Sequence, residues 1–362
     1  MENKPLIVIS AIRYFQGGTI VIVDECLEYL SKNLSGTYRI KALVYKKDKY
    51  IQWEGIEYIE FPKARHSLYY RLYYEYFFFK KLSKIWKPLL WLSMQDSTPD
   101  VTAEKQALYF HNPLLWFPKP LQFLKKQPRL FFLWLLYKAV YTKGINRNDF
   151  IIIQQSSFEK FLQKKFDIRS GKLLIFPPKI SLYKIEPAEK NNEYIFIFPA
   201  TAMLYKNFDV LLKANKILEE KKLLYKIILT VSGEENAYVK ELKNKYNSSK
   251  IEFGGFVNRQ KLFEYYNQSN CMIFPSLLET WGLPLSEFAL QDKPVICADL
   301  PYAKETLANY SKVKFFDPSD AGMLAALMLQ AIKGELSFDN NEFDYQEPVI
   351  KNWNEMFGKI LQ

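Results

Sequence analysis

The sequence predicts an α/β protein of two doubly wound parallel-sheet domains, each sheet covered by helices on both faces. Three observations predict it. Short apolar runs of strand length alternate with helical patterns along most of the 362 residues. Those runs are continuous in Ile, Val, Leu and Phe rather than alternating with polar residues, as strands buried on both faces require. The alternation pauses at a Pro-rich, polar stretch, Pro177 to Asn192, and then restarts. Length alone also argues for about two domains.

Taken in order, Leu6 to Ala11 reads as a buried strand, followed by Gly17-Gly18 and a helix from about Thr19 to Lys32. Further strands are expected at Ile40 to Tyr45, Glu57 to Phe61, Ala107 to His111, Phe150 to Gln154 and Lys172 to Phe176. The second cycle opens with a strand at Tyr194 to Pro199, a helix at Lys206 to Lys221 and a strand at Lys226 to Val231, and runs on to Phe316. A last helix, about Tyr345 to Leu361, follows the acidic loop Asp339 to Asp344. The expected division is one domain at 1–178, a linker at 179–192 and a second domain at 193–344, with a last helix at 345–362. Two such domains are expected to set the carboxyl ends of their sheets across a cleft, where ligands bind.

Composition narrows the class. Hydrophobic residues make up 49% and charged residues 25%, the profile of a folded protein. Met1 to Ser10 has no basic region or small-residue cleavage site of a signal peptide, and the most apolar stretch, Leu130 to Tyr137, is far short of a membrane span. Cys26, Cys271 and Cys297 are odd in number with no metal-like spacing, so a reduced, cytoplasmic setting is expected. With His66 and His111 the only histidines, a histidine-rich metal site is excluded, and His66 carries no functional expectation.

Net charge is +11, unevenly spread: residues 1–180 hold 29 Lys/Arg against 15 Asp/Glu, a balance of +14, and the remainder 21 against 24. The basic half carries two aromatic-basic runs, Ser67 to Trp91 and Leu115 to Tyr141. Such runs suit an anionic membrane surface or a phosphorylated lipid-linked acceptor, unless their aromatics are core and their lysines a solvated face. They lack the Arg-rich stripe or recognised module of a nucleic-acid binder, and no nucleic-acid partner is expected.

The chemistry concentrates between Cys271 and Glu305. A buried strand, Cys271 to Pro275, ends in a loop that holds Glu279. Gly282 permits a tight turn, Pro284 suits a first helical turn, and Glu287 follows Glu279 by eight residues. Outward-facing backbone N–H groups at that edge suit phosphate or sugar oxygens. Two carboxylates beside them suit the hydroxyls of a sugar or a ribose diol. A nucleotide sugar satisfies both better than a bare nucleotide does.

At these positions the chain resembles glycosyltransferase family 4, whose C-terminal domain carries two glutamates eight apart in a Pro-Ser-x-x-Glu-x-aromatic-Gly-Leu-Pro setting. Here that setting is Pro275, Ser276, Glu279, Trp281, Gly282, Leu283, Pro284 and Glu287. The resemblance extends to Lys206-Asn207, to Glu252 through Val257 beneath a nucleobase, to Lys293 through Ile296, and to Trp353 in the terminal helix. It implies a GT-B architecture of two Rossmann-like domains, 1–178 on the acceptor side and 193–344 binding the nucleotide sugar, with the helix at 345–362 packing back on the first. It also implies that Glu287 binds the donor ribose, Glu279 the transferred sugar, and Lys206 the diphosphate. Trp281, Gly282 and Leu283 would offer main-chain amides, and Val257 would line the base. The family's Arg about five residues before the Lys is here Thr201, which puts the usual two-cation clamp in doubt.

In the first half the resemblance is looser. Gly17-Gly18 is similar to the family's glycine loop near the donor phosphates, and His111 occupies the place of a histidine that faces the donor sugar. Taken together, the resemblance implies retention of anomeric configuration, catalysis by His111, Glu279 and Lys206, and no cofactor beyond the donor itself. No metal is expected, and the chain has no Asp-x-Asp. A hexose-type sugar would pass to a saccharide or lipid-linked saccharide in surface-polysaccharide assembly, at the inner face of the membrane. The alternatives are a membrane-surface assembly factor with a degenerate donor site, motivated by Thr201, and a sugar-nucleotide epimerase sharing the fold.

Overall fold

In the computed structural model, residues 4–14, 17–117, 120–180, 192–344 and 349–362 are described. Among them thirteen strands form two sheets, and every strand pairing is parallel. The first seven are β1 (Leu6–Ala11), β2 (Arg39–Val44), β3 (Ile56–Glu60), β4 (Leu90–Ser93), β5 (Lys105–Tyr109), β6 (Phe150–Ile153) and β7 (Leu173–Ile175), in the order 3-2-1-4-5-6-7. The second sheet holds β8 (Tyr194–Phe198), β9 (Tyr225–Leu229), β10 (Ile251–Phe253), β11 (Cys271–Phe274), β12 (Val295–Ala298) and β13 (Val313–Phe316), in the order 10-9-8-11-12-13. Each is a doubly wound, Rossmann-like sheet that winds one way from its first strand and then reverses. The chain therefore has the two-domain GT-B architecture.

Two compact units result. One comprises the described residues of Met1–Leu115, Leu135–Lys179 and Gln346–Gln362, the other those of Trp116–Trp134 and Ile180–Tyr345. In the first unit β1 is buried along its whole length, and the helix Gly18–Tyr29 lays Ile22, Val23, Cys26 and Leu27 on the sheet. The terminal helix is shorter than the sequence suggests, Trp353–Leu361, because Asn352 caps its start by accepting from the Glu355 N–H. It belongs to the first unit: Trp353 meets Phe176 at 4.7 Å, and Phe357 stacks on Tyr29 at 5.5 Å. The Tyr29 hydroxyl also donates to Asn354.

Two features differ from the sequence expectation. β4 was not expected, because its first two residues, Leu90 and Trp91, close the aromatic-basic run Ser67 to Trp91, whose composition masks their strand character. Residues 116–134, expected in the N-terminal domain, pack instead with the second unit. The reason is Gln127, whose side chain donates to the Ala202 carbonyl (3.0 Å) and accepts from the Leu204 N–H (2.9 Å), satisfying loop groups that β8 leaves unpaired. The linker expected at 179–192 falls mostly outside the described residues, as do the first four positions of the helix expected at 345–362.

The aromatic-basic run Ser67 to Trp91 divides between core and surface. Phe79 and Trp91 are buried in a cluster with Phe61, while Leu68, Tyr69, Tyr73, Phe77 and Ile85 stay exposed. No described helix is long and apolar enough to cross a membrane.

Candidate functional site

In a doubly wound sheet the crevice at the carboxyl ends of the strands opens where the winding reverses. In the second sheet that point lies between β8 and β11. The loop after β8 leads to Lys206 and the loop after β11 to Glu279, and the Leu277 N–H donates to the Tyr205 carbonyl to tie the two together (2.7 Å). Lys206 Nζ lies 2.5 Å from Glu279 Oε1, with both side chains near one-eighth exposed. Asn207 fixes the lysine's backbone. It takes a left-handed conformation (φ 58°), and its amide donates to the Pro275 and Pro318 carbonyls.

Gly282 ends the β11 loop at φ +86°, and a Cβ there would stand 3.3 Å from Leu285 Cδ1, so the turn needs glycine. Leu283 begins the helix Leu283–Ala289. The Trp281 indole N–H donates to the Ser286 hydroxyl (2.9 Å), and the Thr306 hydroxyl donates to the Trp281 carbonyl. Both hold the loop's main chain in one orientation.

Glu287, on that helix, is almost fully buried and doubly held. Arg259 reaches Oε1 at 3.0 Å, and the Tyr266 hydroxyl donates to Oε2 at 3.3 Å. Burial pushes the Glu287 carboxyl above the usual carboxylate range, and Arg259 and Tyr266 pull it partly back. Val257 lies half-buried on the loop that leads from β10 to Arg259. Thr201 is exposed, and its carbonyl accepts from the Met203 N–H. The second unit thus brings Lys206, Glu279, Trp281, Gly282, Leu283 and Glu287 to one sheet edge, with Val257 on the loop beside Arg259. Arg259 escaped the sequence reading because its partner lies 28 positions on. Its place at the first helical turn after the Val257 loop was the only signal.

In the first unit the reversal lies between β1 and β4. Gly17 follows β1 at φ +80° and ψ −169°, a conformation open to glycine alone, and a Cβ there would meet nothing within 4 Å. Backbone shape, not space, requires it. Gly18 is the first residue of the helix. His111, just past β5, is buried. Its ring stacks on Tyr109 at 4.4 Å and meets Tyr14 edge-on at 5.5 Å, and its backbone N–H donates to Asp96. Burial lowers the His111 pKa to about 4, against an opposing pull from Asp96. The imidazole is therefore neutral at physiological pH.

Asp96, left-handed at φ 68°, also accepts from the Tyr14 hydroxyl (2.9 Å), and Arg13 stands 3.9 Å away with its guanidinium over the Tyr137 ring. Arg71, paired with buried Glu75 at 2.9 Å, approaches the same ring. None of these polar residues was singled out from sequence, since the loops after β1 and β4 and the helical segment 68–78 bring them together from far apart in the chain. Among the described residues no three His, Cys, Asp or Glu side chains gather in a way that could hold a metal ion.

The fold and these sites define a GT-B-type protein whose second sheet edge carries two carboxylate–cation pairs. Residues 181–347 match the family model described as Glycosyl transferases group 1. Among curated proteins, the chain is 20% identical over 228 residues to the O-antigen chain mannosyltransferase RfbU of Salmonella typhimurium. It is 27% identical over 133 residues to the O-antigen chain mannosyltransferase B of Escherichia coli. Those matches cover 60% and 36% of this chain, and 62% and 34% of the relatives' own lengths. Among solved structures, sucrose-phosphate synthase from Thermosynechococcus elongatus superposes with a TM-score of 0.68 at 14% identity, covering 92% of this chain and 90% of that one. Anabaena HepE, solved with UDP and glucose, gives 0.65 at 15% identity over 91% and 90%.

Proposed function

We propose that this chain is a glycosyltransferase that moves a hexose-type sugar from a nucleotide diphosphate donor to a saccharide or lipid-linked saccharide in surface-polysaccharide assembly, with retention and without a metal. The observation that carries the reading is the pair of ion pairs at the second sheet's reversal point, Lys206–Glu279 and Arg259–Glu287. Each joins a group suited to phosphate oxygens with one suited to sugar hydroxyls. A diphosphate sugar offers both partners at once, so a ligand of that chemistry replaces each internal contact with an equivalent one. The group 1 family match over 181–347 and the O-antigen relatives support the same chemistry.

In the proposed reaction the bond between the anomeric carbon and the diphosphate oxygen breaks as an acceptor oxygen bonds to the same face of the sugar. The acceptor's proton passes to the departing phosphate. Lys206 and the backbone amides around Gly282 stabilise the charge that gathers on that phosphate. Neutral His111 is suited to hydrogen-bonding a sugar hydroxyl rather than to supplying charge. Glu279 and Glu287 hold the sugar and ribose hydroxyls.

The test is a thermal-shift screen of UDP, GDP, dTDP and CMP sugars, followed by transfer or donor hydrolysis with the stabilising donor. Lys206→Ala should lower turnover by about 10²–10³-fold, and Glu279→Gln should weaken donor binding. A Glu279→Ala protein that bound and processed donors like the parent would sink the assignment in favour of an assembly factor.

A further inference from the structure

The segment 68–86 forms one nearly continuous helical rod in the first unit: an α-helix Leu68–Tyr73, a π-helical turn Tyr74–Phe78 and an α-helix Phe79–Trp86. Its inner face holds Arg71, Glu75, Phe79 and Ser83 at intervals of four, all buried. Its outer face repeats the interval with Tyr69, Tyr73, Phe77, Lys81 and Ile85, all exposed. In a regular α-helix a step of four residues overshoots one turn by about 40°, so such a stripe spirals away. A turn closed to the fifth residue rotates less per residue, and here it falls mid-rod and brings both stripes back into line.

The outer stripe is costly to leave in water. Tyr69 is 72% exposed, Phe77 64% and Ile85 74%, with Leu68 and Tyr73 beside them. Tyr73 and Phe77 stack at 6.4 Å, so two of these rings stand together as an apolar ridge. The flanks are basic. Lys63, Arg65, Lys80, Lys81, Lys84 and Lys87 are exposed, and Lys81, Lys84 and Lys87 make no ion pair among the described residues. From 61 to 87 the lone acid is Glu75, fully buried against Arg71. Apart from Asp100, which pairs with Lys80, this face combines aromatic and aliphatic side chains with unpaired lysines, and its own residues 61–87 expose no carboxylate. It complements an anionic bilayer, whose headgroups meet the lysines while the rings enter the interface.

We propose that the outer face of 68–86 lies in the plane of an anionic lipid membrane and docks the protein there. Such docking is independent of the donor chemistry and requires of the lipid headgroup only negative charge. The experiment is flotation of the full chain with phosphatidylcholine vesicles, with and without phosphatidylglycerol, at low and high salt. The wild type should float with the anionic vesicles, less so as salt rises. Lys81→Glu/Lys84→Glu should reduce partitioning at least tenfold, and Tyr69→Ser/Phe77→Ser should reduce it even at low salt. Both variants should keep the parent's melting temperature, since all four side chains point outward. Failure of the wild type to float, or equal flotation of both variants, overturns the proposal. So does binding to random-sequence RNA, or a dimer in sedimentation, if the same substitutions abolish it and vesicles are ignored.

Discussion

Replacing Arg259 with Ala isolates the electrostatics of the second sheet edge. Glu287 is 4% exposed and would keep only the Tyr266 hydroxyl at 3.3 Å. Stranding one member of a buried ion pair costs about 3–5 kcal/mol, but a third of the Arg259 side chain reaches solvent, so about 2 kcal/mol is the reasonable figure. In a unit of this size that lowers the melting temperature by about 4–8 °C. The sign with pH follows from burial, which already raises the Glu287 carboxyl. Without Arg259 it rises further, so the folded state binds its proton more tightly than the unfolded state does. Stability is then kept at low pH and lost as pH climbs through the folded value. Calorimetry from pH 5 to 8 should show the deficit of Arg259→Ala growing with pH. Adding Glu287→Gln should recover part of it, because no charge is left unpaired. A deficit flat with pH, or a double variant no better than the single, would refute the reasoning. If Glu287 also binds ribose, the single variant loses nucleotide affinity in the same pH range.

Gly282→Ala forces a side chain to φ +86° against Leu285, costing about 1–2 kcal/mol in melting experiments, with donor affinity falling as the loop's amides shift. His111, with its pKa near 4, binds its proton more weakly folded than unfolded, so wild-type stability should rise from pH 4 to about 6.5. His111→Gln should remove that slope, and wild-type activity should show no acid limb near 6.5. Asp24, raised to about 6 by burial and accepting from the Ile51 N–H, favours the folded state only while protonated. Asp24→Asn should therefore raise the melting temperature at pH 7.5 and leave it unchanged at pH 5.

The parts of this protein legible from sequence are those carried by local pattern. Continuous apolar runs announce buried parallel strands where both faces are covered, as in β1, β6 and β11, whereas the edge strands β3 and β10 carry glutamates and little burial. Glu279, Gly282 and Glu287 sit within nine positions, so one loop and one helix place them all. Arg259, Asp96 and Gln127 were invisible for a common reason. Each acts on a group far along the chain, and nothing in its neighbours marks it as different from a solvated side chain. The stripe at 69–85 lay between. Its composition was plain, but which of its rings face inward depends on one π-helical turn that residue spacing does not announce.

The order in which the chain emerges during synthesis gives the terminal helix another meaning. Every strand of the first sheet precedes residue 180, yet the helix that covers Tyr29, Tyr109 and Phe176 begins only at Trp353. At about 5–20 residues per second, those rings wait roughly 10–35 s while the second unit is made. The first unit is thus the earlier begun and the later finished. Its aromatic face is a transient sticky surface on every nascent chain, and slowing translation within 192–344 should raise aggregation without altering any native contact.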